Sequence, residues 1–203
     1  MKIICIGRNY IDHAKELNSA VPTEPVFFLK PDTCLVSRNQ PFFYPEFSKE
    51  IHYETELVVR INKVGKHIQE KFAHTYYDEV SVGIDFTARD IQRNCQQKGL
   101  PWEISKGFDN AAPVGKFVNT NIFKSVQDID LKLTINDQIV QSGTTRDMIF
   151  SVDTIISYVS KFITLKMGDL IFTGTPAGVG PVKIGDKLEA FLNDQSLLKC
   201  DIK

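Results

Sequence analysis

The sequence predicts a β-rich α+β fold whose core is a mixed or rolled sheet. Short apolar runs rich in β-branched residues dominate the chain, and each has the length of about five or six residues that is typical of a strand. Helical patterns are too sparse for a doubly wound parallel sheet. With 203 residues, no internal repeat and no low-complexity linker, the chain has the size of one domain, which we place at residues 1–203.

Several runs along the chain are predicted to be strands. Their residues are mainly Val, Ile, Leu and Phe, which suit a pleated and buried surface. In chain order the runs are KIICIG (2–7), PVFFLK (25–30), ELVVRI (56–61), VSVGIDF (80–86), LKLTIN (131–136), LIFTG (170–174) and KLEAFL (187–192). Asn136 and Asp137, which lead into QIVQSG, indicate a hairpin turn, although the Gly that strengthens this signal is missing.

Three segments are predicted to be helices. NYIDHAKEL (9–17) is short and amphipathic, and TARDIQRNCQQKG (87–99) is polar, closed by Gly99 and followed by Pro101. SVDTIISYVSKFITL (151–165) shows most clearly the i, i+3, i+4, i+7 spacing of one buried face. The apolar residues of that face are Val152, Ile155, Ile156, Val159, Phe162 and Ile163.

The charge balance and the cysteines indicate which partners and which cellular compartment to expect for the protein. Lys plus Arg is 24 and Asp plus Glu is 25, which gives no electrostatic reason to expect a nucleic acid or an anionic membrane as partner. No apolar stretch approaches the roughly 20 residues of a membrane span, and the start MKIICIGRNY is typical of a strand and not of a signal peptide. The widely spaced Cys5, Cys34, Cys95 and Cys200 indicate reduced thiols in a cytoplasmic protein.

Two carboxylates stand inside the apolar segment IHYETELVVRI (51–61). Glu54 and Glu56 are two positions apart, so in a strand they project from the same face. Buried together they need a cation, and Mg²⁺ or Mn²⁺ prefers oxygen ligands of this kind. The alternative is an exposed edge strand with two solvated glutamates. Asp85, at the end of another apolar run, is well placed to close a three-oxygen site, unless it only caps the following helix.

A histidine and a glutamate share one face of the first predicted helix. His13 and Glu16 are three residues apart, so their side chains can touch. A Glu that orients and polarises a His produces a general base able to activate water. The alternative is a contact at the protein surface without a catalytic role.

Two irregular segments carry further candidates. The loop GLPWEISKGFDNAAPVG (99–115) contains Lys106, which is either a solvated lysine or a cation that faces the metal. The segment FTGTPAGVGPVKIGD (172–186) is rich in Gly and Pro, and its backbone amides with Thr175 can cradle a carboxylate. Its glycines can equally serve a tight turn alone.

Taken in order along nearly the whole chain, these motifs resemble the fumarylacetoacetate hydrolase family. Within the family the chain is most similar to the short, single-domain acylpyruvase and oxaloacetate decarboxylase type. The motifs that carry the resemblance are GRNYIDHAKE (7–16), EPVFFLKP (24–31), HYETEL (52–57), GIDFTARDIQ (83–92), KGLPWEISKGFD (98–109), TRDMIFS (145–151) and LIFTGTPAGVGPVKIGD (170–186).

The resemblance implies a mixed β-roll, a homodimer, and a site for Mg²⁺ or Mn²⁺ that is covered by a lid around His13. It assigns the metal to Glu54, Glu56 and Asp85, and the activation of water to His13 and Glu16. It makes Lys106 the active-site cation. The residues that it assigns to substrate contacts or to their support are Arg8, Lys30, Arg89, Gln92 and Thr175.

The implied reaction is the cleavage by water of the C–C bond of acylpyruvates, with oxaloacetate decarboxylation as a possible second activity. Both reactions release a pyruvate enolate from a small 2-oxo acid, and the bound ion and Lys106 would stabilise its charge. One alternative is an isomerase or decarboxylase of an aromatic meta-cleavage pathway, of the 2-hydroxyhepta-2,4-diene-1,7-dioate type. Another is a metal-stabilised binding domain without activity, but an ion that serves structure alone needs no base such as His13.

Overall fold

The computed structural model describes residues 1–16, 20–36 and 39–203. Its helices are α1 (Ile11–Glu16), α2 (Glu70–Ala73), α3 (Arg89–Lys98), α4 (Glu103–Lys106) and α5 (Val152–Phe162). Its strands are β1 (Ile3–Gly7), β2 (Val26–Lys30), β3 (Leu35–Val36), β4 (Ile51–Tyr53), β5 (Thr55–Ile61), β6 (Tyr77–Ile84), β7 (Thr87–Ala88), β8 (Ala112–Pro113), β9 (Val118–Asn119), β10 (Asp130–Ile135), β11 (Gln138–Thr144), β12 (Leu170–Phe172), β13 (Gly180–Pro181), β14 (Lys187–Leu192) and β15 (Gln195–Asp201).

The largest sheet is mixed. Its order is β2-β1-β12-β5-β6-β9, in which β1 and β12 run parallel and the other neighbours run antiparallel. A second sheet, β11-β10-β14-β15, is antiparallel throughout. The smaller sheets are β13-β4-β7 and β3-β8. The mixed sheets and the few short helices confirm the predicted β-rich α+β class.

Strand β5 lies inside the six-stranded sheet and is covered on both faces. Leu57, Val58 and Val59 point alternately to opposite faces, and all three are fully buried. Such two-sided burial explains the continuous apolar run of the sequence. The start of the strand, with its carboxylates, therefore also lies in the interior of the protein.

Helix α5 forms where the periodicity predicted it. The Oγ of Ser151 accepts a hydrogen bond from the backbone N of Thr154 at 3.1 Å, which caps the first turn. The prediction was wrong for Phe162, which is 56% exposed because it ends the helix. Its ring packs at the surface against Tyr158 and Phe27, with centroid distances of 5.2 and 5.8 Å.

The other two predicted helices are shorter than expected. Helix α3 begins at Arg89, because Thr87–Ala88 pairs with β4 as strand β7. It ends at Gly99, whose φ of 64° allows the left-handed closing turn. Helix α1 covers Ile11–Glu16, and position 17 of its predicted range lies outside the described residues.

Two hairpins of the antiparallel sheet share the turn sequence Asn-Asp. Between β10 and β11 both turn residues, Asn136 and Asp137, are left-handed, with φ of 51° and 66°. Between β14 and β15 the left-handed residue is Asn193, with φ of 51°, whereas Asp194 keeps a negative φ. The first turn, which the sequence predicted, therefore has the two left-handed residues of a type I′ turn.

All four cysteines are free and buried. Burial raises the pKa of the Cys34 thiol to about 11 and that of Cys200 to about 12. Within the part of the chain that the structure describes, no helix is long and apolar enough to cross a membrane.

Candidate active site

Three carboxylates meet at one end of the β5–β6 pair. Glu54 precedes β5, Glu56 is its second residue, and Asp85 follows β6. The antiparallel register places Thr55 opposite Ile84, and the N–H of Asp85 donates to the carbonyl of Glu54 at 2.8 Å. One oxygen from each carboxylate lies within 4.8 Å of the others, and no member is more than 5% exposed. The alternative of two solvated glutamates on an edge strand is therefore wrong.

Lys106 is buried against two of these carboxylates. Its Nζ donates to Glu54 Oε2 and Asp85 Oδ2, both at 2.8 Å, and to Thr87 Oγ1 at 2.6 Å. Burial alone would lower the pKa of Lys106, but the carboxylates of Asp85 and Glu54 raise it above its ordinary value. Lys106 thus stays charged, and the reading as a solvated loop lysine is wrong.

Helix α3 supplies a second cation to Glu54. Arg89 donates from Nη2 to Glu54 Oε1 at 2.5 Å and from Nη1 to Gln92 Oε1 at 2.6 Å. Burial tends to raise the pKa of Glu54, but Lys106 and Arg89 outweigh burial and hold this pKa below its ordinary value. Glu54 is therefore ionised and fixed from two sides.

Lys30, at the end of β2, lies behind Asp85. Its Nζ is 2.7 Å from Asp85 Oδ1, while it donates hydrogen bonds to the backbone carbonyls of Phe86, Lys106 and Ala111. Asp85 Oδ1 has no hydrogen-bond partner among the described residues, so Lys30 contacts it as an ion pair. This fully buried position fits support of Asp85, the second of the two roles that the resemblance implies.

Glu56 has a different environment from its two neighbours. Its Oε2 accepts a hydrogen bond from the N–H of Gly174 at 2.7 Å, and within the described ranges it has no ion pair with a cationic side chain. Burial, with the adjacent carboxylates of Asp85 and Glu54, raises the pKa of Glu56 well above its ordinary value. A cluster of buried carboxylate oxygens, one of them without a cation, fits a hard divalent ion such as Mg²⁺ or Mn²⁺.

The amides of the glycine-rich segment hold carboxylates of the protein itself. Gly174 binds Glu56, and the N–H of Gly178 donates to Glu16 Oε1 at 3.0 Å. Gly174 has φ of 96°, and a Cβ there would lie 2.7 Å from the Cβ of Asn9, so a larger residue does not fit. The sequence predicted a carboxylate cradle in this segment, but it did not indicate that the carboxylates are those of Glu56 and Glu16.

His13 is 4% exposed on α1, and its Nδ1 lies 3.0 Å from Glu16 Oε2. Because an ionised carboxylate only accepts hydrogen bonds, Nδ1 carries the proton, and Nε2 is then the basic nitrogen of the neutral ring. Glu16 is held in turn by Gly178, so the ring orientation is fixed by two successive contacts. His13 is buried, whereas the side chain of Glu16 is 32% exposed, so the pair joins the interior to the surface and is not a contact at the surface alone.

The predicted site residues surround a cavity of about 40 Å³, which we call the inner cavity. Trp102 and Phe28 add an apolar wall, with their rings edge to face at 5.9 Å. Arg8, which lies between β1 and α1, has φ of 61°, a left-handed conformation that is uncommon for residues other than Gly, Asn and Asp. The predicted residues in its wall are Arg8, His13, Glu54, Glu56, Asp85, Arg89, Gln92, Lys106 and Thr175.

Sequence analysis missed Gln141, which ties two parts of the site together. This residue of β11 is 2% exposed, and its Oε1 accepts from the backbone N of Thr55 at 3.0 Å. Its Nε2 donates to Thr175 Oγ1 and to the carbonyl of Pro176, both at 2.8 Å. Thr175 donates in turn to the carbonyl of Thr55 at 2.9 Å. The one available signal was a glutamine in an inward-facing position opposite Leu133.

Known proteins share this sequence and architecture over nearly the full chain. The sequence model described as Fumarylacetoacetate (FAA) hydrolase C-terminal matches residues 2–203. Oxaloacetate tautomerase FAHD1, mitochondrial, of Mus musculus is 44% identical over 99% of this chain and 91% of its own length. Oxaloacetate decarboxylase, mitochondrial, of Dictyostelium discoideum is 43% identical over 93% of this chain and 87% of its own.

Solved structures agree with the fold. A fumarylacetoacetate hydrolase family protein from Yersinia pestis has a TM-score of 0.96 at 40% identity, covering 100% of this chain and 93% of its own. Fumarylpyruvate hydrolase from Pseudomonas aeruginosa, in complex with Mn²⁺ and pyruvate, has a TM-score of 0.92 at 33% identity. The match covers 100% of this chain and 90% of that one. A 2-hydroxyhepta-2,4-diene-1,7-dioate isomerase from Mycobacterium marinum has a TM-score of 0.86 at 33% identity. The match covers 99% of this chain and 73% of that one. By sequence and by structure, this chain belongs to the fumarylacetoacetate hydrolase family of enzymes.

Proposed function

We propose that this protein is a divalent-metal-dependent enzyme that acts on small 2-oxo acids through an enolate. One observation carries the proposal: the buried carboxylates Glu54, Glu56 and Asp85 share the wall of the inner cavity with His13, whose ring contacts Glu16. Mg²⁺ or Mn²⁺ is the proposed ion, and the presence of Mn²⁺ and pyruvate in the named complex of the Pseudomonas aeruginosa relative supports this choice.

The three carboxylates would hold the ion, which supplies a Lewis acid for the oxygens of a 2-oxo acid. Lys106, which is held by its hydrogen bonds to Glu54 and Asp85, would add a positive charge that stabilises the enolate. Arg89 and Gln92, on one face of α3, belong to the wall of the same cavity, where their side chains would orient the substrate.

His13 gives the site a base for cleavage by water. In an acylpyruvate, Nε2 of His13 removes a proton from the water that attacks the acyl carbon, while Glu16 holds the ring. The C–C bond then breaks, and its electron pair passes into the pyruvate enolate. The proton held by His13 returns to the enolate carbon, so the products are pyruvate and a carboxylic acid. This cleavage is our first candidate reaction.

The second candidate reaction has oxaloacetate as its substrate. The names of the mouse and Dictyostelium relatives, an oxaloacetate tautomerase and an oxaloacetate decarboxylase, support it. Its decarboxylation yields the same pyruvate enolate and needs no attacking water. Its keto–enol interconversion, which the sequence analysis did not consider, needs only a base such as His13 that moves a proton between carbon and oxygen. An isomerase of the meta-cleavage type has support in the name of the Mycobacterium marinum structure.

The test is to assay all three reactions with and without a chelator. We expect acylpyruvate cleavage, oxaloacetate decarboxylation and enol–keto conversion, each followed by ultraviolet absorbance, to stop with excess EDTA and to return with Mg²⁺. Glu56→Gln is expected to abolish every reaction, whereas Glu46→Gln, a change of an exposed glutamate, is the matched control and keeps activity. Activity that survives complete chelation would contradict the proposal.

The cellular location and the assembly of this chain remain predictions. We predicted a cytoplasmic protein, while the mouse relative is named as mitochondrial. We also propose that the enzyme is a homodimer, for which the test is given below.

A further inference from the structure

Asn9, in the turn between β1 and α1, is a fully buried polar residue that lies outside the wall of the inner cavity. Its side-chain amide pairs with both backbone groups of Phe150. Nδ2 donates to the carbonyl at 3.0 Å, and Oδ1 accepts from the N–H at 2.8 Å. Nδ2 also donates to the carbonyl of Thr173 at 2.8 Å. Both donor protons and the acceptor are thus used, and these partners fix which way the amide points.

The order of the strands explains why Asn9 meets Thr173. Strands β1 and β12 run parallel and pair at Cys5 and Phe172, so their carboxyl ends lie at the same edge of the sheet. Asn9 comes shortly after the end of β1, and Thr173 directly follows β12. The side chain of Asn9 therefore joins two adjacent strand ends to the segment that leads into α5.

On one side, Thr173 leads directly to the contact that holds Glu56. The next residue, Gly174, donates its N–H to Glu56 Oε2 at 2.7 Å, which is the one hydrogen bond that the described residues give this carboxylate. A Cβ at Gly174 would lie 2.7 Å from the Cβ of Asn9, so the two backbones are in close contact. A shift of Thr173 would therefore move the N–H of Gly174 and release Glu56.

On the other side, Asn9 holds the turn from which α1 begins. The preceding residue, Arg8, has φ of 61°, and a residue with a Cβ keeps this conformation only where its surroundings hold it. The carbonyl of Asn9 accepts from the N–H of Ile149 at 2.8 Å, so its backbone and its side chain bind the same segment. His13 follows four residues later, and its position depends on this turn.

We propose that Asn9 is a positioning residue that fixes the base His13 and the carboxylate of Glu56 relative to each other. The role rests on the proposed function, because that function makes His13 the base and Glu56 a metal ligand. Asn9 makes no hydrogen bond to either side chain, and it acts through Gly174 on one side and through the turn at Arg8 on the other.

The experiment compares Asn9→Ala with the wild-type protein in two readouts. Calorimetry measures the affinity for Mg²⁺, which should fall about tenfold, the scale that one lost hydrogen bond to a charged group sets. Hydrogen–deuterium exchange with mass spectrometry measures the amides of α1, which should exchange about tenfold faster because the turn before them is released. Exchange is measured with saturating Mg²⁺ and oxalate, an unreactive analogue of the pyruvate enolate, so that an empty site is not the cause.

Ser160→Ala is the matched control for a loss of stability. Ser160 is fully buried on α5, where its Oγ accepts from the N–H of Ile68 at 2.8 Å and donates to the carbonyl of Ser157 at 2.9 Å. This change should lower the denaturation midpoint, as Asn9→Ala does, but leave the Mg²⁺ affinity and the exchange of α1 at their wild-type values. Changes in both readouts as large as those of Asn9→Ala would overturn the proposal, because stability alone would then explain them.

The proposal requires both effects together. An unchanged Mg²⁺ affinity or an unchanged exchange of α1 in folded Asn9→Ala would overturn it. A measurement on the wild-type protein serves if the variant does not fold. Mg²⁺ should slow exchange in the peptide that contains Ile149 and Phe150, whose N–H groups both bind Asn9 and which lie outside the wall of the inner cavity. Exchange that Mg²⁺ does not change there would overturn the proposal.

The proposed function and the role of Asn9 fail in different ways. If Asn9→Ala changes both readouts but the wild-type protein converts no 2-oxo acid, the proposed function is wrong, and Asn9 still positions α1 and Glu56. If the wild-type protein converts these substrates and Asn9→Ala binds Mg²⁺ as tightly as the wild-type protein does, only the role of Asn9 is wrong.

Discussion

At the level of single residues, Gln141 joins the strand that carries Glu56 to the segment that carries Thr175. Gln141→Leu would leave the N–H of Thr55 and the carbonyl of Pro176 without their partner, at a cost of about 1–3 kcal/mol each. We expect lower stability in chemical denaturation together with weaker binding of Mg²⁺ in calorimetry. Gln138→Leu, at an exposed position of the same strand, is the control. Unchanged Mg²⁺ affinity in folded Gln141→Leu would show that Gln141 does not position the carboxylates.

The His13–Glu16 pair should affect the candidate reactions unequally. His13→Ala and Glu16→Ala remove the base that cleavage by water requires, so acylpyruvate cleavage should fall by about 10²–10⁴-fold. Decarboxylation should fall less, because Lys106 or solvent can donate the proton to the enolate. The measurement is kcat for each substrate, with Asp12→Ala on the exposed side of α1 as control. Equal losses for both substrates would assign the pair to closing the site, since closure serves both reactions.

Residue types in the site were largely predictable, but their contacts were not. The spacing of Glu54 and Glu56 indicated one face of a strand, and the structure shows them buried together. The hydrogen bond from Gly174 to Glu56 joins positions 118 apart in the sequence, and that of Gln141 to Thr55 joins positions 86 apart. Such pairings depend on how the sheets meet, which local periodicity does not encode.

At the level of elements, the two Asn-Asp hairpins offer a matched stability test. Asp137 is left-handed, a conformation that costs a residue with a Cβ roughly 1 kcal/mol, whereas Asp194 is not. Asp137→Gly should therefore stabilise the protein by a few tenths to about 1 kcal/mol, because the relief exceeds the added freedom of the unfolded chain.

The second hairpin provides the opposite expectation. Asp194 is not left-handed, so Asp194→Gly relieves no backbone strain and only adds conformational freedom to the unfolded chain. It should therefore destabilise the protein by about 0.5–1 kcal/mol. Urea denaturation of both variants gives the comparison. Stabilisation by both changes, or by neither, would mean that the backbone conformation of Asp137 is not the cause.

The elements that sequence analysis found are those with strong patterns. Every predicted apolar run overlaps a strand, and β14 has the same bounds as its run, Lys187–Leu192. The helices α2 and α4 were missed, because four residues are too few to show a helical period. Thr87–Ala88 was predicted to belong to the following helix. It forms a strand instead because its backbone pairs with β4, which the sequence does not indicate.

At the level of the whole molecule, we expect a homodimer whose active sites are each built mainly within one chain. The expectation comes from the family resemblance and from sheet edges that need cover. Exposed apolar side chains such as Phe47 and Ile104, near Phe108, are compatible with it. Sedimentation at micromolar concentration should show a dimer, and a protein that is wholly monomeric under these conditions would contradict the prediction.

The four buried cysteines make the natural protein suitable for site-specific labelling. A thiol reacts as its thiolate, and burial holds Cys34 and Cys200 in the protonated form at neutral pH. A maleimide should therefore leave the folded wild-type chain unmodified in mass spectrometry, yet add once to Lys15→Cys on the exposed side of α1. A spin label at that position would report whether α1 moves over the inner cavity when oxalate binds, without prior removal of any native cysteine.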